Sequence, residues 1–493
     1  MPRPRIIVKR GGVNDGSEFQ GFRPTGETAQ SDIPFAPRRT LTVNSRRCHN
    51  HRESCAGMPA SACPDGGCDM TLSPDFRTDL ATGVVDRDIY TSEKIFALEK
   101  ERIFTRAWQY ACTTRDLKKP GDFFTVSIAD QPVLVVRGND GEIRAFHNAC
   151  THRGAILTGE RCGNQGQVLK CMYHAWAFDL KGDLVGVPYE EGYGPDFDRR
   201  AHGLKPVHCD TFHDLVFVAL RPAVPSLTDF LGEMAEYLAP YVQGIEPIGR
   251  NSWIYHGNWK FWHENFRDDY HAEFTHRSIR DLLAGTTERG WNWGASPGHS
   301  VLQWAFPALD PPKYARSLQR FSGVDFSDGV MPVGWNSMLA EGEGGPPEGF
   351  EGGEPPEIRQ EVLALFPNLD VQPGPKDTPR GMKAGYIQTV TPLGVDRARV
   401  DITVYSDIED DEQTRQGLLE NLADTQGSWG KLSCDDTEAA ARCQIGVRGE
   451  GSRINLFTRG VAPGRGGEGA DVRDEYSQRE FFRVYQQYLR DES

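Results

Sequence analysis

Two Cys-His pairs, set one short loop apart, constrain this chain more than any other feature of it. The first reads Cys150-Thr151-His152-Arg153-Gly154, and sixteen residues later the second reads Cys171-Met172-Tyr173-His174. Two thiolates and two imidazoles at these spacings can close around one metal centre, so the segment has to fold as two loops whose tips meet. Zinc fingers group their ligands otherwise, typically two cysteines together and then two histidines. One thiolate and one imidazole in each pair suit a two-iron, two-sulfide cluster whose cysteines hold one iron and whose histidines hold the other. The competing view, core cysteines and satisfied histidines scattered by chance, must reproduce all four ligand types and both spacings at once.

Taken with Trp176, the stretch Cys150-x-His152-Arg153-Gly154 … Cys171-x-Tyr173-His174-x-Trp176 resembles Rieske proteins. Short strand-like segments at 123–128, 132–137 and 143–145 precede it, with Gly121 and Asn139-Asp140-Gly141 as turns, and the apolar run 215–218 follows. They predict a small β-domain with the two ligand loops at neighbouring hairpin tips. Tyr173 and Trp176, beside the ligands, are expected to tune the cluster through hydrogen bonding and solvent exclusion.

A length of 493 residues allows two or three domains. With 38% hydrophobic and 25% charged residues, the composition is that of a soluble globular protein. The formal charge of -15 argues against a nucleic-acid partner, whose phosphates require clustered Lys and Arg. No apolar run reaches the roughly 18 residues of a membrane span, and no apolar stretch of signal-peptide length opens the chain, so a cytoplasmic protein without membrane contact is expected. Eleven irregularly spaced cysteines fit free thiols in a reducing compartment. Residues 1–69 carry ten Lys/Arg against seven Asp/Glu, show no periodicity, and are predicted to be a disordered extension. Cys48, Cys55, Cys63 and Cys68, with His49 and His51, lack the C-x2-C pair that would make this segment a metal module. Residues 70–108 are predicted to be a helical segment packing on the catalytic domain, 109–222 the cluster domain, and 223–493 the catalytic domain.

In the second half, a helix predicted over 227–241 leads to Gly257-Asn258-Trp259-Lys260 and then to Glu264-Asn265-Phe266-Arg267-Asp268-Asp269-Tyr270-His271-Ala272-Glu273-Phe274-Thr275-His276. Two histidines with nearby carboxylates fit a 2-His-1-carboxylate iron site with open positions. On a regular helix, five residues turn through about 500°, leaving the two rings about 140° apart and unable to share a metal. The helix must therefore end between His271 and His276, or carry a π-bulge. Asp268, three residues before His271, is expected on the same face, where it reaches that ring's other nitrogen. His263 is read as a satisfied histidine outside the site. Phe261, Trp262 and Phe266 line the pocket or belong to the core, two readings that spacing alone leaves open. A Gly/Glu/Pro-rich loop at 338–356 is expected to be flexible and lid-like, strands return at 384–390 and 398–405, and a helix follows at 412–422. Gly464-Arg465-Gly466-Gly467-Glu468-Gly469 matches a dinucleotide fingerprint only formally, without the strand-turn-helix setting such a site needs.

With both constellations in view, residues 75–493 are similar to the large α subunit of the Rieske non-haem iron ring-hydroxylating oxygenases. The resemblance implies an α+β chain: an all-β Rieske [2Fe-2S] domain followed by a helix-grip catalytic domain with antiparallel sheet and helices. It implies cluster ligands Cys150, His152, Cys171 and His174, mononuclear Fe(II) ligands His271 and His276, and a third ligand from Cys434-Asp435-Asp436-Thr437-Glu438, with Asp436 preferred and Asp435 the alternative. Asp268 would bridge His271 to the cluster histidine of a neighbouring subunit, matching His174, and Asn265 would stand near the iron. Ala175, where the family usually has Gly, is expected to be sterically minor. The implied activity is hydroxylation or cis-dihydroxylation of an aromatic ring with O2, with electrons from NAD(P)H through a ferredoxin and/or flavin reductase. The implied assembly is a homotrimer or an αβ hexamer. A monooxygenase or demethylase of O- or N-methyl or quaternary ammonium compounds uses the same metals, although the aspartate at 268 leans towards ring hydroxylases. A non-catalytic Rieske electron carrier would leave the second half of the chain unexplained.

Overall fold

The computed structural model describes residues 78–79, 83–276, 289–295, 298–307, 357–373, 385–461 and 470–490. The expected disordered extension at 1–69, the loop at 338–356 and the formal fingerprint at 464–469 lie outside these residues.

The strand Gln131–Arg137 explains how the first domain is layered. Val133, Leu134, Val135 and Val136 are all buried, where a sheet with one wet face would alternate. Val133 and Val135 enter the main core of the chain, while Leu134 and Val136 enter a separate core with Cys150, Cys171, Trp176 and Phe178. The strand lies inside a seven-stranded sheet that also contains Gln109–Thr113, Asp122–Ile128, Ile143–His147, Cys162–Asn164, Pro206–Phe212 and Leu215–Ala219. One face of this sheet carries the ligand loops and a small three-stranded sheet, Val168–Lys170, Ala177–Asp179 and Leu184–Gly186. Asp122–Ile128 and Gln131–Arg137 join through Ala129 (φ 49°) and Asp130 (φ 64°), two consecutive left-handed residues that make the tight reversal a twisted hairpin needs.

The second domain is an antiparallel eight-stranded sheet in the order Ile245–Tyr255, Arg397–Asp407, Gly385–Gly394, Leu369–Pro373, Glu357–Leu365, His299–Pro307, Arg289–Ala295, Ala470–Asp471. Helices Trp259–Asn265 and Tyr476–Arg490 pack on the sheet, and Lys431–Val447 packs on Trp259–Asn265. On the opposite face, Ile387, Thr389 and Thr391 share a cleft with Tyr110, Phe124 and Val126 of the first domain. Arg250 to Asp116 (2.6 Å) and Lys118 to Glu246 (2.6 Å) tie the two domains across this seam.

Two expected helices differ from their sequence reading. The segment 70–108, expected to be helical, holds among its described residues two short strands, Thr78–Asp79 and Val84–Asp86, then a 3-10 turn Arg87–Tyr90, an α-helix Glu93–Leu98 capped by Ser92, and a π-helical turn Glu99–Phe104. The π turn brings Glu99 fully inside, where its carboxylate receives Lys260 Nζ, Trp259 Nε1 (2.8 Å) and Tyr485 Oη. The helix expected over 227–241 is two helices, Leu227–Leu231 and Met234–Val242, because Gly232 turns left-handed (φ 50°) and ends the first.

Candidate active site

The two ligand loops of the first domain are the same backbone device used twice. Cys150 N donates to Ala155 O and Gly154 N to Cys150 O; Cys171 N donates to Trp176 O and Ala175 N to Cys171 O, all at 2.8–3.0 Å. The fifth residue of each loop is left-handed, Gly154 at φ 73° and Ala175 at φ 58°. A Cβ at Gly154 would meet nothing within 4 Å, so the demand there is on conformation, not on space. Ala175 is therefore not a neutral replacement for glycine, as its size suggested: an L-residue held left-handed costs about 1–2 kcal/mol.

These turns bring the four predicted ligands together. Cys150 and Cys171 are buried, face one another and form no disulfide. Burial pushes the Cys150 thiol above its ordinary value, and the Cys171 thiol beside it adds to the shift. The His152 and His174 rings lie 4.7 Å apart and are half-exposed. His152 turns Nδ1 inward, buried and without a hydrogen bond, while Nε2 faces the Tyr193 hydroxyl at 3.3 Å. Inner thiols and an orphaned inward imidazole nitrogen fit a cluster with cysteines on its buried iron and histidines on its outer one. Trp176 stacks on His152 at 4.8 Å and is buried, as a solvent-excluding neighbour should be. Tyr173 lies on His174 but is 59% exposed, so it leaves that edge open to a partner instead of sealing it. Tyr193 carried no sequence signal, because forty residues separate it from the ring it meets.

The second site starts at Gly257-Asn258. Asn258 caps the helix Trp259–Asn265, accepts from Lys260 N and donates to Val395 O; its own N–H donates to Gln444 Oε1 (2.7 Å) on the helix Lys431–Val447. Trp253 Nε1 donates to Thr437 Oγ1 (3.3 Å), so the sheet and the first helix both fix the register of the second. Ser433, Asp436, Ala440, Gln444 and Val447 form its buried stripe, and Asp435 falls beside it.

The first helix ends at Asn265, and the short helix Ala272–Thr275 begins after a turn and ends at His276. His271 and His276 therefore bracket one helical turn and escape the angular conflict of a continuous helix. Asp268 belongs to the turn, not to a helical face shared with His271. Its Oδ1 accepts from the His271 backbone N–H (3.0 Å) and stands 3.5 Å from Nδ1 of the ring. His271 Nε2 and His276 Nε2 face Asp436 Oδ1 at 3.8 and 3.5 Å, and one ligand atom from each of the three residues lies within 4.8 Å of the others. Asp435 Oδ2 approaches the far nitrogen of His276, Nδ1, at 3.8 Å. The two aspartates thus divide: Asp436, buried, faces both inward nitrogens, and Asp435, 30% exposed, backs one ring as Asp268 backs the other.

Burial and mutual charge perturb all three groups of this trio. Burial raises the Asp436 carboxyl to about 6 although the His271 charge and the nearby Asn265 amide both favour its ionised form. Burial lowers His271, but Asp268, Asp436 and Asp269 outweigh it and hold the ring at about 9; burial and the charge on His271 push His276 down to about 4. Asp436 Oδ1 is buried without a hydrogen-bond partner. Two imidazole nitrogens and an orphaned carboxylate oxygen fit a divalent iron, with Asp268 and Asp435 orienting the rings from behind. His263 is a core histidine, as expected: Nδ1 meets Asp370 at 3.1 Å, and Nε2 accepts from Arg267, whose Nη1 donates to Ser300. Trp262 is fully buried, stacks near Phe266 and leaves Nε1 unpartnered.

A β-domain with paired Cys-His loops, joined to an antiparallel sheet whose helices present two histidines and a carboxylate, defines the two-centre Rieske oxygenases. Residues 107–204 match the Rieske [2Fe-2S] domain, and residues 242–491 match the ring hydroxylating alpha subunit catalytic domain. The chain belongs to the ring-hydroxylating alpha-subunit family and is an oxidoreductase. It is 27% identical over 417 residues to 2-aminobenzenesulfonate 2,3-dioxygenase subunit alpha of Alcaligenes sp, covering 83% of this chain and 94% of that one. It is 28% identical to the alpha 2 subunit of the terephthalate 1,2-dioxygenase terminal oxygenase of Comamonas sp, covering 81% and 94%. In fold it resembles naphthalene 1,2-dioxygenase from Rhodococcus sp. bound to indole, with TM-score 0.67 at 23% identity over 83% of this chain and 95% of that one. No helix among the described residues is long and apolar enough to cross a membrane.

Proposed function

We propose that this chain is the terminal oxygenase of a multicomponent system that hydroxylates or cis-dihydroxylates an aromatic ring. The observation that carries the reading is the convergence of His271, His276 and Asp436 within 4.8 Å, with Asp436 Oδ1 buried and unpartnered. In this reading Cys150, His152, Cys171 and His174 hold the cluster and His271, His276 and Asp436 hold Fe(II). When bound, the two groups supply single electrons and O2 activation beside the substrate. Asn265 lies beside Asp436 and favours its charged carboxylate. Asp268 holds the His271 ring through Nδ1 and is the route by which an electron reaches it, from His174 of an adjacent subunit. The exposed edge formed by Met172 and Tyr173 supports such a contact, as do exposed Tyr270 and Phe274 beside His271. The proposal therefore includes an oligomer, a homotrimer or an αβ hexamer, with a ferredoxin and/or flavin reductase bringing electrons from NAD(P)H. Seven described cysteines, all unpaired, support a reducing, cytoplasmic setting. The aromatic dioxygenases among its relatives support the ring as target.

The test is product analysis under isotopically labelled O2, with a surrogate reductase and a panel of arenes, aromatic acids and a quaternary ammonium compound. Two labelled oxygens in a ring diol are expected. Labelled product from the ammonium compound alone would replace this reading with the methyl-group monooxygenase.

A further inference from the structure

The strand Gly385–Gly394 turns Ile387, Thr389 and Thr391 towards the inter-domain cleft. Strand alternation therefore turns Tyr386, Gln388 and Val390 the other way, towards the layer covered by the helix Trp259–Asn265. Tyr386 lies within electrostatic reach of Asp436. Gln388 pairs in register with Asp370, which grips His263 two residues before Asn265. Gln388 thus sits in the layer between the sheet and the residues that converge on Asp436. Its side chain is fully buried, yet neither Oε1 nor Nε2 has a hydrogen-bond partner. Core amides are bonded at both ends, because an unmet donor and acceptor each carry a desolvation cost that only a partner relieves. Trp262 Nε1, on the covering helix, is a second buried donor left unmet in this layer.

We infer that Gln388 is a specificity-determining residue, meeting a neutral hydrogen-bonding substituent on the substrate ring: a hydroxyl, an amine or a carboxamide. The inference rests on the aromatic-ring reading above and narrows it. Gln388 offers one acceptor and two donors, which match groups that both give and receive hydrogen bonds. A carboxylate or sulfonate fits less well, because Asp370, opposite Gln388 on the neighbouring strand, already puts a buried carboxylate beside it. The buried cation Arg267 directs its donors to His263, Ser300 and the Ala364 carbonyl, and Lys260 is held by Glu99.

The test compares the reconstituted wild-type oxygenase with Gln388→Leu and Gln388→Met on phenol, aniline, benzamide, benzoate and toluene, reading KM and kcat separately alongside the melting temperature. For the variants, kcat/KM on phenol, aniline and benzamide should fall about 10- to 100-fold, mainly through KM. Toluene should be unaffected or improved, and melting should be no lower than wild type, since an unmet amide has gone. An unchanged substrate profile, the result a buried water on Gln388 would give, overturns the inference. So does loss of folding in both variants, which would assign Gln388 to packing alone. If wild type oxidises toluene and benzoate but none of the three neutral polar arenes, the ring reading stands and this inference fails. If wild type forms no ring product from any of the five, the ring reading fails and takes the inference with it.

Discussion

Each cluster ligand loop closes on itself. Cys150 and Cys171 each start a turn sealed by two hydrogen bonds within six residues, and their thiols share a small core of their own. The mononuclear site has no such self-sufficiency. His271 and His276 flank a four-residue helix, and the carboxylate they face comes from a helix fixed in register by Asn258, Gln444 and the Trp253–Thr437 contact. A site built from local turns tolerates change elsewhere in the chain, whereas one assembled across the fold inherits every error in packing. The first is also wet at its histidines, and the second is dry at its carboxylate.

The sharpest test of this contrast is to delete one ligand from each site. Cys171→Ser should abolish the visible cluster spectrum while leaving one iron per chain, and Asp436→Ala should lose that iron while the cluster spectrum stays. Iron and acid-labile sulfide assays with absorbance spectra check both, and simultaneous loss of both centres in either variant would show the sites to be interdependent. Asp435→Ala sharpens the division between the two aspartates. It should keep the iron but weaken its retention by about 10- to 100-fold, the range found when a group backing a metal-bound histidine is removed.

Asp268→Asn should leave both centres loaded yet slow turnover by at least about 100-fold, because asparagine retains the shape but loses the charge and one acceptor oxygen. In single turnover the cluster should accept an electron from dithionite and fail to release it once substrate and O2 are added. Reoxidation at the wild-type rate would remove Asp268 from the route.

A smaller effect concerns Glu264, buried beside Tyr90, whose hydroxyl donates to it at 2.8 Å. Burial pushes this carboxyl up to about 8 from an ordinary value near 4.5, with Asp268 and Glu475 adding to the shift against Tyr90 and Lys260. The folded state therefore holds a proton that the unfolded chain has released, so stability falls as pH rises from about 4.5 to about 8. Glu264→Gln should remove that slope and stabilise the protein by on the order of 1–3 kcal/mol at pH 8–9, with little gain at pH 5. Denaturant titrations at the two pH values decide it. Smallest of all, Ala175→Gly should add about 0.5–1 kcal/mol in the same assay by relieving the left-handed strain, net of glycine's extra unfolded-state entropy. The cluster spectrum should not move.

The same contrast explains what could be read in the amino-acid order. The four residues proposed to hold the cluster lie in one short stretch whose spacing suits that chemistry, and the strand around Val133–Val136 announces its burial through an unbroken apolar run. The angular conflict between His271 and His276 correctly required a helix end, but not the separate turn in which Asp268 lies. Asp436 could be preferred only through family resemblance, since nothing near it in the chain distinguishes it from Asp435; what sets the two apart is that Asp436 alone lies on the buried stripe of its helix. The π turn at Glu99, the break at Gly232 and the left-handed Ala175 all depend on backbone geometry that residue types report weakly or not at all.

Glu99 also bears on the order in which the nascent chain matures. Its carboxylate needs Lys260, Trp259 and Tyr485 together. The cluster domain's sheet is complete once Leu215–Ala219 has paired with Gln109–Thr113. At ribosomal rates of about 5–20 residues per second, Tyr485 follows that strand by tens of seconds. The residues of both cluster loops are thus synthesised well before the last partner of Glu99, so the helix bearing Asn265 receives its final anchor only when the chain is nearly complete.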